Sequence, residues 1–359
     1  MLESPDPSAL FARYTALVSE GGTRRARDAA AQLGVPEALL VDAKRAGGEA
    51  RRLRPDPERG FAPVLEALPG VGDIMSLTRN EACVHERHGR FEALSFEGGA
   101  GLVLGPEIDL RLFLNRWASG FAVREQVASG DRISLQFFDA TGTAIQKIYA
   151  TDATDRTAFD ALIETWEMPA EAAAAAPLTV EPATPARPDR PDSAVDTAAL
   201  RADWAAMQDT HEFFGMLRRH DVGRQQALRL ADPAFATPLA PGAETRLLEG
   251  AAAAGLPIMV FVGNAGTIQI HTGPVATIRP HGPWINVLDP RFNLHLRTDA
   301  VAGAWVVRKP TSDGIVTSVE LFDDTGFCVC MFFGARKPGQ PEREDWRALV
   351  AGLEDPVPA

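Results

Sequence analysis

Residues 200–217 carry the side chain with the most chemical promise. Leu200, Trp204, Met207, His211, Phe214 and Leu217 recur there at steps of three or four, which predicts one apolar face of a single helix. His211 falls in the middle of that face. A histidine so placed is either a satisfied core group or a ligand turned toward an apolar pocket. The remaining histidines offer less. His211 and His220 are nine residues apart, about 13–14 Å along an ideal helix, too far to share a metal. His85 and His88 flank an expected turn. Cys328 and Cys330 point the same way from a strand, but two thiols are too few to hold a metal alone. Asp139, Asp323 and Asp324 sit in hairpin turns, which accounts for them. No Ser–His–Asp pattern, phosphate-binding glycine loop or zinc spacing is present.

The second group is cationic. In the strand expected at 108–113, alternation puts Asp109, Arg111 and Phe113 on one face and Ile108, Leu110 and Leu112 on the other. Arg111 is thus mounted on a buried strand and points away from its apolar side. It reads as a salt-bridged surface group or as a rigid cation over a ligand. A histidine among aromatics, with arginines and a lysine at the ends of strands and helices, suits a large flat apolar ligand with anionic edges and a metal centre. Haem has that chemistry.

The elements that must position these residues are short. Helices are expected at 8–18, at 23–33 with Thr23 as its cap, at 36–43 and at 60–69. The string from Thr23 to Val35 looks like the start of a helix-turn-helix, which raises a DNA-binding regulator as a remote alternative; no basic recognition helix follows. From Asp73 to Tyr149 the period changes to short strands with close turns, an antiparallel meander closed by a helix at 154–166. Residues 169–198, rich in Ala and Pro, read as a mobile linker. The chain then repeats itself at a constant spacing of 184 residues. Ile74-Met75 returns as Ile258-Met259, Asn80 as Asn264, Arg111 as His295, Phe121 as Trp305, Arg124 as Arg308 and Tyr149 as Phe333. The expected architecture is α+β: a tandem duplication of a domain with N-terminal helices and a large antiparallel sheet. The boundaries are 1–168 for the first repeat, 169–198 for the linker and 199–359 for the second.

Composition narrows the function classes. A net charge of −12 disfavours general nucleic-acid binding. Three cysteines fit a reducing compartment rather than a disulfide scaffold. No signal-type leader and no apolar run of membrane-spanning length is seen, so a cytoplasmic protein without membrane insertion is expected.

Specific strings then carry a resemblance. They are Arg79-Asn80-Glu81, Val84-His85-Glu86, residues 108–117, Gln136-Phe137-Phe138-Asp139, Trp204 with Asp209-Thr210-His211-Glu212-Phe213-Phe214, Arg224-Gln225-Gln226-Ala227, and Arg308-Lys309-Pro310-Thr311-Ser312-Asp313-Gly314. Over essentially the whole chain the sequence resembles the cytoplasmic haemin-degrading and haem-trafficking family of Gram-negative bacteria (the HemS/HmuS/ChuS/PhuS group). The resemblance implies haem b as ligand or substrate, with His211 as axial iron ligand and Arg111 as the distal, catalytic group. It implies Arg224, Lys309 and Arg336 on the propionate side. A glutamine and a tyrosine that line the family's pocket fall on Met331 and Phe333, both departures; Phe333 keeps the ring and loses the hydroxyl. Glu212 and Phe213 stand where some trafficking members carry a second histidine. Two functions follow: a haem carrier that delivers to a separate haem oxygenase, or a haem-degrading enzyme needing dioxygen and an external reductant. The inner-membrane haem importer is a further implied partner, the protein being a monomer or homodimer. The haem is expected between the two repeats.

Overall fold

A computed structural model describes residues 6–127, 130–185, 188–337 and 339–354. The chain forms two compact units. Unit 1 holds residues up to Arg79, Glu86–Thr184 and the short segment Gly263–Gln269; unit 2 holds Asn80–His85, Pro185–Val262 and the chain from Ile270 onward.

Unit 1 opens with three helices, Pro7–Ser19, Ala26–Leu33 and Glu37–Ala43. Asp6 caps the first by accepting the Ala9 N–H at 3.0 Å, and Leu10 and Tyr14 are its buried residues. The second starts later than expected. Thr23 spends its hydroxyl on the Arg25 N–H, so Arg25 becomes the N-cap and no side chain caps the helix. Gly34 ends it with φ +68°, a left-handed conformation that glycine adopts without penalty. The helix expected at 60–69 is a short turn, Ala62–Glu66, followed by a 3-10 turn at Leu68–Val71. The sheet runs in the order Ala50–Arg52, Ser119–Val127, Gly130–Phe138, Ala144–Thr154, Gly72–Arg79, with antiparallel neighbours. A second run pairs Leu94–Glu97, Ala100–Leu104 and Asp109–Phe113. Helix Arg156–Trp166 packs Phe159, Leu162 and Ile163 into the core.

Unit 2 repeats the plan. Ala236–Leu239, Gly303–Thr311, Gly314–Phe322, Cys328–Gly334 and Ile258–Gly263 follow the same strand order. The register repeats too. Gln136 opposes Lys147 as Glu320 opposes Met331, and Leu102 opposes Arg111 as Asn286 opposes His295. Even the bulge between Phe137 and Phe138 returns between Leu321 and Phe322. A one-residue slip would have turned every side chain to the other face. The duplication therefore holds at the level of individual pairs. Asp139 and Asp323 both accept N–H bonds within their own turns, as their positions implied.

Two further expectations are corrected. Residues 200–217 are not one helix but two, Thr197–Ala205 and Glu212–His220. Asp209 Oδ1 accepts the His211 N–H at 2.8 Å, and this turn resets the helical phase. Leu200, Trp204, Met207, Phe213, Met216 and Leu217 are buried, whereas Phe214 is 64% exposed. His211 does not lie on the apolar face; its side chain is 94% exposed. The Ala/Pro-rich stretch is also not free of unit 1. It forms a helix at Ala170–Ala175, buries Ala173 and Val180, and bonds back through Glu181 N–H to Ala140 O at 2.7 Å. Small apolar side chains suffice to dock it.

Candidate functional site

In unit 2 the six expected residues gather into three groups. The first is built on the turn before helix Glu212–His220. Trp204 anchors that turn: it is fully buried, donates its indole N–H to Arg308 O at 3.0 Å, and meets the edge of Phe213 at 4.8 Å. Ser312 N–H donates to Gln208 O at 2.9 Å. On this frame Asp209 Oδ1 lies 2.6 Å from His211 Nδ1. With the proton on Nδ1 and shared with the carboxylate, Nε2 presents its lone pair outward. A carboxylate behind the ring is the arrangement that fixes the tautomer and raises the basicity of a ligating histidine. The His211 N–H, then its ring, hold the Asp209 carboxyl below the usual carboxylate range, with Arg336 adding to the effect. Arg336 itself is 3.7 Å from Asp313 Oδ2.

The second group surrounds Glu320, which is fully buried on strand Gly314–Phe322. Arg224 at the start of helix Arg224–Leu230 grips it with two bonds of 2.7 Å. Lys309 Nζ donates to it at 2.7 Å and Ser318 Oγ at 3.0 Å. The Phe213 ring lies 5.1 Å from the Arg224 guanidinium and 4.5 Å from the Lys309 ammonium. Arg224 also touches Met331 Sδ at 3.3 Å. Burial alone would push the Glu320 carboxyl up, but the two cations outweigh it and hold it far below the carboxylate range. Burial lowers the Lys309 ammonium despite Glu320, with Arg224 pushing the same way. The third group is the Phe333 ring, 4.9 Å from Phe261 on the neighbouring strand. Met331 and Phe333, two apart, share one strand face.

Arg111 belongs to unit 1. It is ion-paired with Asp109 on its own strand face, as alternation implied, and about a third exposed. Burial raises the Asp109 carboxyl in spite of that pairing.

Sequence reasoning missed Asp209 and Glu320. Both left a trace. An aspartate two residues before a histidine can reach it, and a glutamate inside the apolar strand Ser318-Val319-Glu320-Leu321-Phe322 must have a buried partner. Cys328 is free, and burial pushes its thiol up to about 12. Its thiolate fraction is therefore negligible at neutral pH. Native protein at pH 7.5 should leave Cys328 unalkylated by iodoacetamide over the time that denatured protein reacts fully; rapid native labelling of that residue, read by peptide mass, would contradict this. Among the described residues no cluster of three or more His, Cys, Asp or Glu side chains could hold a bare metal ion, and no helix is long and apolar enough to cross a membrane.

The chain is thus a duplicated helix-and-sheet unit whose second copy carries a carboxylate-backed histidine and two cations on an inner carboxylate. The family profile described as the haemin-degrading HemS.ChuX domain matches residues 34–166 and again 221–353. The hemin transport protein HmuS of Yersinia pestis is 41% identical over 347 residues, spanning 96% of this chain and 97% of that protein. HemS of Yersinia enterocolitica, also described as a hemin transport protein, is 40% identical over 97% of this chain and 98% of its own. Among solved structures, holo-PhuS, a heme-binding protein from Pseudomonas aeruginosa, superposes with a TM-score of 0.92 at 47% identity, covering 97% of this chain and 99% of that one. The heme-degrading enzyme ChuS of Escherichia coli O157:H7 gives 0.88 at 39% identity, with coverage of 97% and 99%. This chain belongs to the HemS/ChuX family.

Proposed function

We propose that this protein binds b-type haem through His211 and handles it in the cytoplasm during haem uptake and iron acquisition. The observation that supports the reading best is the His211 ring, exposed, with Nδ1 held by Asp209 and Nε2 left to ligate. The half-buried apolar side chains Met331, Phe333 and Phe261 suit a flat macrocycle, whose burial contributes roughly 25 cal/mol per Å². Arg224, Lys309 and Arg336 are the cations proposed for its carboxylate edge. A ligand carboxylate that reaches Lys309 has to share it with Glu320. Arg111 is the proposed distal group, able to steer a ligand on iron or donate to it. Bound haem supplies redox chemistry at iron; the residues here bind it, orient it and hold a proton at His211 Nδ1. A haem oxygenase and the inner-membrane importer are the protein partners this function calls for.

The test is full-length protein with stoichiometric haem, an external reductant, air and catalase. A stable Soret band under reductant, with haem passed to an added haem oxygenase, is the carrier's result. Soret loss with an open tetrapyrrole product makes the protein the degrading enzyme, and Arg111→Ala should then slow that loss more than it weakens binding. Failure to bind haem stoichiometrically would remove the proposal.

A further inference from the structure

The two repeats share a fold, yet the place in unit 1 that corresponds to the His211 site has been rebuilt with opposite chemistry. Arg25 is the N-cap of Ala26–Leu33, as His211 is of Glu212–His220. Glu37 opens the third helix where Arg224 opens its counterpart. Lys147 and Tyr149 occupy the strand positions of Met331 and Phe333, and Glu125 that of Lys309. No histidine lines this place, and the sheet face carries Glu125, Gln136 and Lys147 where unit 2 carries Lys309, Glu320 and Met331. Lys147 binds Glu37 at 2.5 Å, and Arg132 lies 5.5 Å from the Tyr149 ring.

Beside this face is a cleft of about 660 Å³. Its lining includes Arg24, Arg25, Lys44, Arg124 and Arg132, against only two carboxylates, Glu49 and Glu125. Both carboxylates are drawn to the buried Lys44, at 3.4 and 2.9 Å, and Glu125 also takes Arg132 at 2.8 Å. Arg124 shares Asp131 and Asp160. Arg24 and Arg25 make no ion pair with a carboxylate among the described residues. Five cations thus meet four carboxylates, Glu49, Glu125, Asp131 and Asp160, and the positive charge left over rests on Arg24 and Arg25, in a chain whose net charge is −12. A cleft with unpaired cations raises the local concentration of anions, and guanidinium forks match phosphate and carboxylate oxygens in pairs.

We propose that this cleft binds a compact polyanion carrying two or more phosphate or carboxylate groups, independently of the His211 site. The test is calorimetric titration of the full-length protein with pyrophosphate and, separately, with citrate, at low ionic strength and at 0.15 M salt. Saturable one-site binding of at least one probe is expected, weaker in salt. Pyrophosphate binding without citrate binding makes the ligand phosphoryl; the converse makes it a polycarboxylate. The double variant Arg24→Gln/Arg25→Gln should lose at least tenfold in affinity while its haem spectrum and melting temperature match the parent. Both side chains are exposed, so the fold does not depend on them. Absence of saturation with either probe, or equal affinity in the double variant, overturns the proposal.

Discussion

His211→Ala, at the proposed axial ligand, is expected to remove the bond to haem iron while leaving the protein folded. The ring makes no cap bond to helix Glu212–His220, and the turn keeps its His211 N–H bond to Asp209 after truncation. An exposed site of this kind costs within about 0.5 kcal/mol of stability. The spectroscopic effect should be large: ferric and ferrous bands shift away from those of the parent. Loss of a carboxylate behind a ligating histidine typically costs roughly 10–100-fold in metal affinity. Asp209→Asn should fall in that range, and His211→Ala should exceed it. Haem titrations and spectra of both variants, with melting temperatures alongside, decide the matter. Unchanged spectra in His211→Ala, at unchanged melting temperature, would mean another group ligates iron.

The largest loss of stability is expected from Glu320→Ala. The substitution strands Arg224 and Lys309, the latter only 3% exposed, without their shared carboxylate. Breaking a buried ion pair from one side costs about 3–5 kcal/mol, because charge is left uncompensated. For a unit of this size that corresponds to roughly 6–20 °C in melting temperature. The pH dependence has a definite sign. The folded-state pKa of Glu320 is depressed, so its contribution is complete above the ordinary glutamate value of 4.5 and is lost as pH falls below it toward the folded value. Glu320→Gln should therefore flatten the acid limb of stability below that pH, relative to the parent. Denaturant melts of the three proteins from pH 7 to pH 3 measure this. A loss under 1 kcal/mol in Glu320→Ala would show that the cluster is not a stabilising centre.

Much of the fold was legible because duplication wrote it twice. A strand hint such as Ile74-Met75 gains weight when Ile258-Met259 repeats it, and the constant spacing fixes register without any contact being known. Arg111 was placed on the correct face because alternation in a strand is a two-residue rule that survives tertiary context. His211 was misplaced because helical periodicity assumes an unbroken helix. The Asp209 turn interrupts it, and Phe213 rather than Phe214 enters the core. The partners of Glu320 were not legible at all. Arg224 is 96 residues away and Lys309 is 11, on different elements, and only the folded chain brings them to one carboxylate.

The composition of the two units has a consequence for truncation. Unit 1 is completed by Gly263–Gln269, whose Asn264 side chain donates to Arg79 O and Ile145 O; unit 2 is completed by Asn80–His85, whose Asn80 donates to Val329 O. The two loans are reciprocal, and residues 80–85 map onto 264–269 at the same spacing of 184. A chain cut anywhere before Gly263 therefore lacks the Asn264 bonds to Arg79 O and Ile145 O, so the first repeat made alone is not the whole of unit 1.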